Sequence, residues 1–139
     1  MRRVSLRTGE KRSFLSTYTC AASLSDTSFV QSCLQLLKGD IEKSDAMLYA
    51  PTSNDIKENC KMMSLSCYMQ ELMMVIEEEG VHTTEAHCIF DFYEQLRPEA
   101  NFVGCPPCEA YSLKNITIFL DRLNNLLQEI TTARHYNKM

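Results

Sequence analysis

Residues 104–130 read GCPPCEAYSLKNITIFLDRLNNLLQEI. Leu113, Ile116, Leu120, Leu123, Leu127 and Ile130 recur at steps of three and four, the period of one helix face. A helix is therefore expected from Glu109 to about Arg134. Directly before it, Pro106 and Pro107 hold the chain extended at about 3.1 Å per residue, which sets the sulfurs of Cys105 and Cys108 about 9 Å apart.

Three earlier segments share the period. Val30, Cys33, Leu34, Leu37 and Ile41 predict a helix from Asp26, its N-cap, to Lys43, with Gly39 weakening its last turns. Met62, Leu65, Met69, Leu72 and Ile76 predict one from Asp55 to Glu79, stopped by Gly80. Ala86, Ile89, Phe90, Tyr93 and Leu96 predict one from Thr83 to Arg97, capped by Thr83 or Thr84 and ended by Pro98. No segment alternates like a half-buried strand, so the fold class is all-α.

The connections are long (about 44–56), short (80–82) and long again (98–108). A short loop makes neighbouring helices antiparallel, and a long one can carry the chain back along the bundle. The third helix is about 22 Å long. The 11 residues after it reach about 36 Å when extended. Long, short, long is the pattern of an up-up-down-down four-helix bundle with two crossover loops.

At 139 residues the chain suits one domain, expected over residues 25–139, and its 45% hydrophobic and 23% charged residues are globular usage. No apolar run exceeds five residues, as in Leu72–Ile76, far short of the 20 or so of a membrane span, so no membrane insertion is expected. Five of the fourteen basic residues and one of the eighteen acids lie in residues 1–12, leaving nine basic and seventeen acidic groups in the rest. That acidic body disfavours nucleic acid and suits a basic partner. Residues 1–24 read as a basic, atypical leader, because the only apolar stretch behind the charges, SFLSTYTCAASL, holds five Ser or Thr.

There are seven cysteines: Cys20, Cys33, Cys60, Cys67, Cys88, Cys105 and Cys108. Cys60 and Cys67 lie two turns apart on one helix face, about 10.5 Å along the axis. That separation matches the Cys105–Cys108 pair, so two rungs can fasten the last crossover to the second helix. The spacing does not choose between parallel and crossed pairing. Cys33 and Cys88 can form a third bridge or be small buried hydrophobes. Competing readings are a thiol oxidoreductase or zinc-binding helical protein using Cys105 and Cys108, and a reduced intracellular helical adaptor. His82, His87 and His135 have no metal spacing, and no catalytic constellation is present; neither a metal nor a cofactor is expected. Asn115-Ile116-Thr117 is a glycosylation sequon, with Asn115 pointing outward because Ile116 points in.

Asp45-Ala46-Met47-Leu48-Tyr49, Cys60-Lys61, Cys67-Tyr68-Met69-Gln70-Glu71-Leu72, Gly104-Cys105-Pro106-Pro107-Cys108-Glu109, Lys114-Asn115-Ile116 and Phe119-Leu120 stand in an order and spacing that resembles the interleukin-15 cytokines and the interleukin-15-like cytokines of fish, within the interleukin-2/15 family. The resemblance covers about residues 29–130. It implies a short-chain four-helix cytokine bundle, secreted, glycosylated, without enzymatic activity, monomeric before receptor binding, and stimulating lymphocytes. It implies the pairs Cys60–Cys105 and Cys67–Cys108. It places an interleukin-15-type alpha receptor against Tyr49, Glu71, Met74, Glu77, Glu78 and Glu109. The common cytokine gamma receptor chain falls on Gln128. The interleukin-2/15 beta receptor chain falls around Cys33, His87, Cys88 and Asp91, where this sequence departs most from the family pattern.

Overall fold

The computed structural model describes residues 27–96 and 104–137, with side chains to residue 133. The leader, Cys20, the Asp26 cap, Pro98 and the His135 side chain lie outside the described residues. The elements run α1 (Thr27–Ile41), β1 (Leu48–Tyr49), α2 (Lys61–Glu78), α3 (Thr84–Gln95), β2 (Leu113–Lys114) and α4 (Ile116–Asn137).

Helix directions follow from side-chain pairs. Thr27 at the start of α1 meets Thr131 near the end of α4, and Gln31 Nε2 donates to Asn124 Oδ1 at 3.3 Å. Those two helices are antiparallel. Lys61 at the start of α2 pairs with Glu129 at 3.4 Å, while the Tyr68 ring packs 5.2 Å from that of Phe119, so α2 also opposes α4. The short turn after α2 makes α3 antiparallel to it. Hence α1 and α2 run one way and α3 and α4 the other. α1 packs on α3 and α4, and α2 packs on the same two. In an up-down-up-down bundle α1 and α3 would lie on a diagonal; here they are neighbours, as the loop lengths predict.

The apolar stripes make the core. Val30, Leu34, Leu37 and Ile41 of α1, Leu65, Met69, Leu72 and Ile76 of α2, Ala86 and Ile89 of α3, and Ile116, Leu120, Leu123, Leu127 and Ile130 of α4 are all buried. Each large side chain removed from water contributes about 1.5–3 kcal/mol before entropy is counted. Phe119, Leu126 and Phe92 are buried as well, beside the stripes, because a core helix hides an arc wider than a single seam.

Two helix starts differ from expectation. Residues 53–60 form two short 3-10 turns, Ser53–Asp55 and Glu58–Cys60, so α2 begins at Lys61 rather than Asp55. Residues 108–110 form another, and β2 follows, so α4 begins at Ile116 rather than Glu109. Leu113, expected to face inward, is 47% exposed. The cause is a two-stranded ribbon between the long loops, with Leu48 opposite Lys114 and Tyr49 opposite Leu113. Two-residue strands carry no periodicity, so no alternation announced them.

Loop ends are fixed by side chains. The buried Tyr68 hydroxyl donates to the Pro51 carbonyl at 2.5 Å, and the Arg122 guanidinium donates to the Ala50 carbonyl at 2.7 Å. Burial pushes the Tyr68 phenol well above its ordinary pKa against the opposing pull of Arg122, so it remains an O–H donor. Gly80 takes φ 65° after α2, and Thr83 Oγ1 accepts from Ala86 N–H at 3.2 Å to start α3. Asn115 Oδ1 accepts from Ile118 N–H at 2.9 Å and caps α4. Asn115→Gln is therefore expected to cost about 1 kcal/mol in chemical denaturation, while Asn115→Asp keeps the cap and costs a few tenths at most.

A candidate receptor-binding face held by disulfides

Three disulfides are present: Cys60–Cys105, Cys67–Cys108 and Cys33–Cys88, with Cα separations of 5.7, 5.6 and 6.5 Å. The first two strap the last crossover loop to α2 and the turn leading into it, in parallel register, the choice that spacing left open and the family resemblance implies. Cys105 is bonded to Cys60, in the 3-10 turn that leads into α2, and Cys108 to Cys67 within α2, so the two are not bonded to each other. This overturns the thiol oxidoreductase and zinc readings, since neither sulfur is free to attack a disulfide or bind an ion. It equally removes the adaptor with reduced thiols. Among the described residues no cluster of His, Cys, Asp and Glu has the arrangement to hold a metal ion.

The Cys67–Cys108 strap decides which surface residues meet. It sets Glu109, one residue on, beside the middle of α2. At 100° per residue, Cys67, Glu71, Met74 and Glu78 form one stripe down that helix. Glu71 Oε1 accepts the Tyr49 backbone N–H at 2.9 Å, which docks the ribbon on the same stripe. Tyr49, Glu71, Met74, Glu78 and Glu109 therefore gather on one face. Met74 is 38% exposed at its centre, and Glu78 and Glu109 are exposed around it. Glu77, three residues after Met74, is exposed on the flank of that stripe nearer α3, the side on which Gln70 Nε2 donates to the Tyr93 hydroxyl at 3.1 Å.

Glu71 differs from the other two carboxylates. One of its oxygens is committed to the ribbon backbone and its side chain is partly buried. It fixes the face as well as charging it, a double role that composition and periodicity do not encode.

The other predicted residues lie elsewhere. Gln128 is exposed on α4, off the apolar stripe. His87 and Asp91 are exposed one turn apart on α3. Partial desolvation raises the Asp91 carboxyl above its ordinary pKa, His87 opposing and Glu94 adding to the shift. Cys33 and Cys88 are joined to each other, so they tie α1 to α3 beneath that surface. Among the described residues no helix is long and apolar enough to cross a membrane.

The chain is 32% identical over 89 residues to interleukin-15 of Cavia porcellus and to that of Homo sapiens, a match covering 60% of this chain and 54% of each relative. It is 31% identical over 94 residues to interleukin-15 of Macaca thibetana, covering 64% and 57%. The matched region thus spans about half the length of these relatives. The interleukin 15 family matches residues 17–131, most of the chain. With its two loop-to-helix straps and antiparallel α1–α4 and α2–α4 packing, the chain belongs to the interleukin-15 family.

Proposed function

We propose that this protein is a secreted cytokine that acts by binding, through an interleukin-15-type alpha receptor, and by bringing together a beta and a common gamma receptor chain to stimulate lymphocytes. The observation that carries the reading is the face assembled by the Cys67–Cys108 strap, where Met74 and Tyr49 are bordered by Glu71, Glu78 and Glu109. An apolar centre ringed by carboxylates suits a small basic receptor module, because desolvated apolar contact holds the complex and charge steers its encounter. Glu77, exposed one turn beyond Met74, adds to the charge around it.

Gln128 is exposed on α4, while the alpha receptor face is built on α2 and the ribbon, an arrangement that suits a protein joining several chains. The beta chain is assigned to the α1–α3 face, with His87 and Asp91 as its exposed polar groups and Cys33–Cys88 as a stiffener beneath.

The direct test is binding of the folded chain to a purified interleukin-15-type alpha receptor ectodomain by surface plasmon resonance. Absence of binding at micromolar concentration sinks the alpha receptor assignment. Gln128→Asp is expected to reduce signalling at least about 10-fold in cells carrying all three chains, the cost of a charge left unpaired in an interface. Alpha receptor affinity should stay within about twofold, since Gln128 lies on another helix. Unchanged signalling makes Gln128 a bystander.

A further inference from the structure

The ribbon fixes where the half-exposed Leu113 points. In an antiparallel ladder, residues directly opposite lie on one side and successive residues alternate. Leu48, opposite Lys114, is fully buried, so Tyr49 and Leu113 share the outward side. Ala50 N–H donates to the Ser112 carbonyl at 3.1 Å, which makes those two a hydrogen-bonded pair. Tyr49 and Leu113, next along the ladder, form the closer, non-hydrogen-bonded kind, with Cα atoms about 4.5 Å apart. In such a pair the Tyr49 N–H points away from β2, and this is the N–H that Glu71 Oε1 accepts at 2.9 Å. Across the surface the order is therefore α2, β1, β2. The ribbon lies on the flank of α2 away from α3: Tyr68 donates to the Pro51 carbonyl just after β1, whereas Gln70, on the opposite flank, donates to Tyr93 of α3. Tyr49 and Leu113 thus carry the apolar surface sideways from the level of Glu71, one turn from Met74.

We propose that the alpha receptor face continues across the ribbon to Leu113, and that Leu113 selects a receptor module with its basic groups over α2 and an apolar side chain over β2. Charge divides the surface in the same way. Glu71 and Glu78 stand on α2 and Glu109 on the strap beside it. Residues 110–118, AYSLKNITI, hold no acid and one base, Lys114. A basic group placed over β2 meets the like charge of Lys114 and gains no carboxylate from that segment. An apolar side chain placed there removes Leu113 and the Tyr49 ring from water together. Receptor modules that share the basic half are then told apart by what they set against Leu113: an Arg or Lys there is desolvated without a partner and is rejected.

The proposal rests on the alpha receptor reading, and the experiment separates the two. Binding of the full chain to a purified interleukin-15-type alpha receptor ectodomain is followed by surface plasmon resonance for the parent, Leu113→Glu and Leu113→Met. Leu113 is 47% exposed, so neither substitution empties the core, and circular dichroism melts should agree within about 2 °C. Leu113→Glu is expected to speed dissociation at least about fivefold, because a carboxylate replaces the apolar contact. Its association should be unchanged or faster, since one more acid attracts a basic partner. Leu113→Met keeps the apolar contact and should bind within about twofold of the parent. A face that works by charge alone predicts the opposite sign, tighter binding by Leu113→Glu. Affinity of Leu113→Glu equal to the parent or higher overturns the extension and leaves the alpha receptor reading standing. Leu113→Met weakened as much as Leu113→Glu assigns the loss to the shape of the ribbon and overturns it too. A parent that does not bind at micromolar concentration overturns both.

Discussion

Cys67→Ser with Cys108→Ser is expected to lower unfolding free energy by about 3 kcal/mol, because the Cys60–Cys105 strap remains and leaves a loop of only about 12 residues for the second strap to close. In Tm this is roughly 9–12 °C for a domain of this size. The double substitution is the right one, because a single change leaves an unpaired thiol able to exchange with the other straps. The effect should not stop at stability. Glu109 loses its anchor beside α2, so alpha receptor affinity should fall even at temperatures where the variant is fully folded. Circular dichroism melts and receptor binding at 10 °C distinguish the two effects. Unchanged binding by the folded variant would mean that the strap holds the fold but not the face.

Glu78→Lys together with Glu109→Lys should slow association with the alpha receptor ectodomain by about 10-fold or more at low salt, with a smaller change in dissociation. Both side chains are exposed, so no core contact is lost. A lysine near the C-terminal end of α2 also favours the helix dipole, which excludes destabilisation as the cause. The difference between variant and parent should shrink as salt rises through 0.15 M and beyond, where exposed charges are screened within about 8 Å. A salt-independent loss would contradict steering. Glu71 is a poorer choice for this experiment. Reversing it breaks the hydrogen bond to Tyr49 N–H and shifts the ribbon, so structure and charge change together.

The bundle was legible in the sequence because its helices bury long stripes. Leu120, Leu123, Leu127 and Ile130 specify α4 through a period that no short element can imitate. The antiparallel α1–α4 packing was legible through loop lengths. What escaped was short and irregular. Cys60 sits at the end of a 3-10 turn, not inside α2, and Leu113 stands on a ribbon, not in α4. Leu113 is held in the ribbon opposite Tyr49, with Ala50 N–H donating to the Ser112 carbonyl at 3.1 Å, a pairing between distant loops that no window of local pattern spans. Residues 53–60 close tight turns of their own, with Asp55 N–H donating to the Thr52 carbonyl at 3.0 Å and Cys60 N–H to the Lys57 carbonyl at 2.9 Å.

The site residues divide the same way. That Glu71, Met74, Glu77 and Glu78 lie on one side of α2 follows from helix spacing, and the strap adds Glu109. The placement of Tyr49 does not follow from spacing. The role of Glu71 as an acceptor for the ribbon backbone needed coordinates.

The three disulfides distribute covalent ties unevenly. α1 is bound to α3, α2 to the final crossover, and the short turn joins α2 to α3, but no cysteine occurs after Cys108. α4 is thus the sole helix that nothing but packing and a few polar contacts holds in place. When the protein is warmed with its sulfur bonds intact, it should come apart by peeling from its C-terminal end, and the surface carrying Gln128 should be the first to vanish.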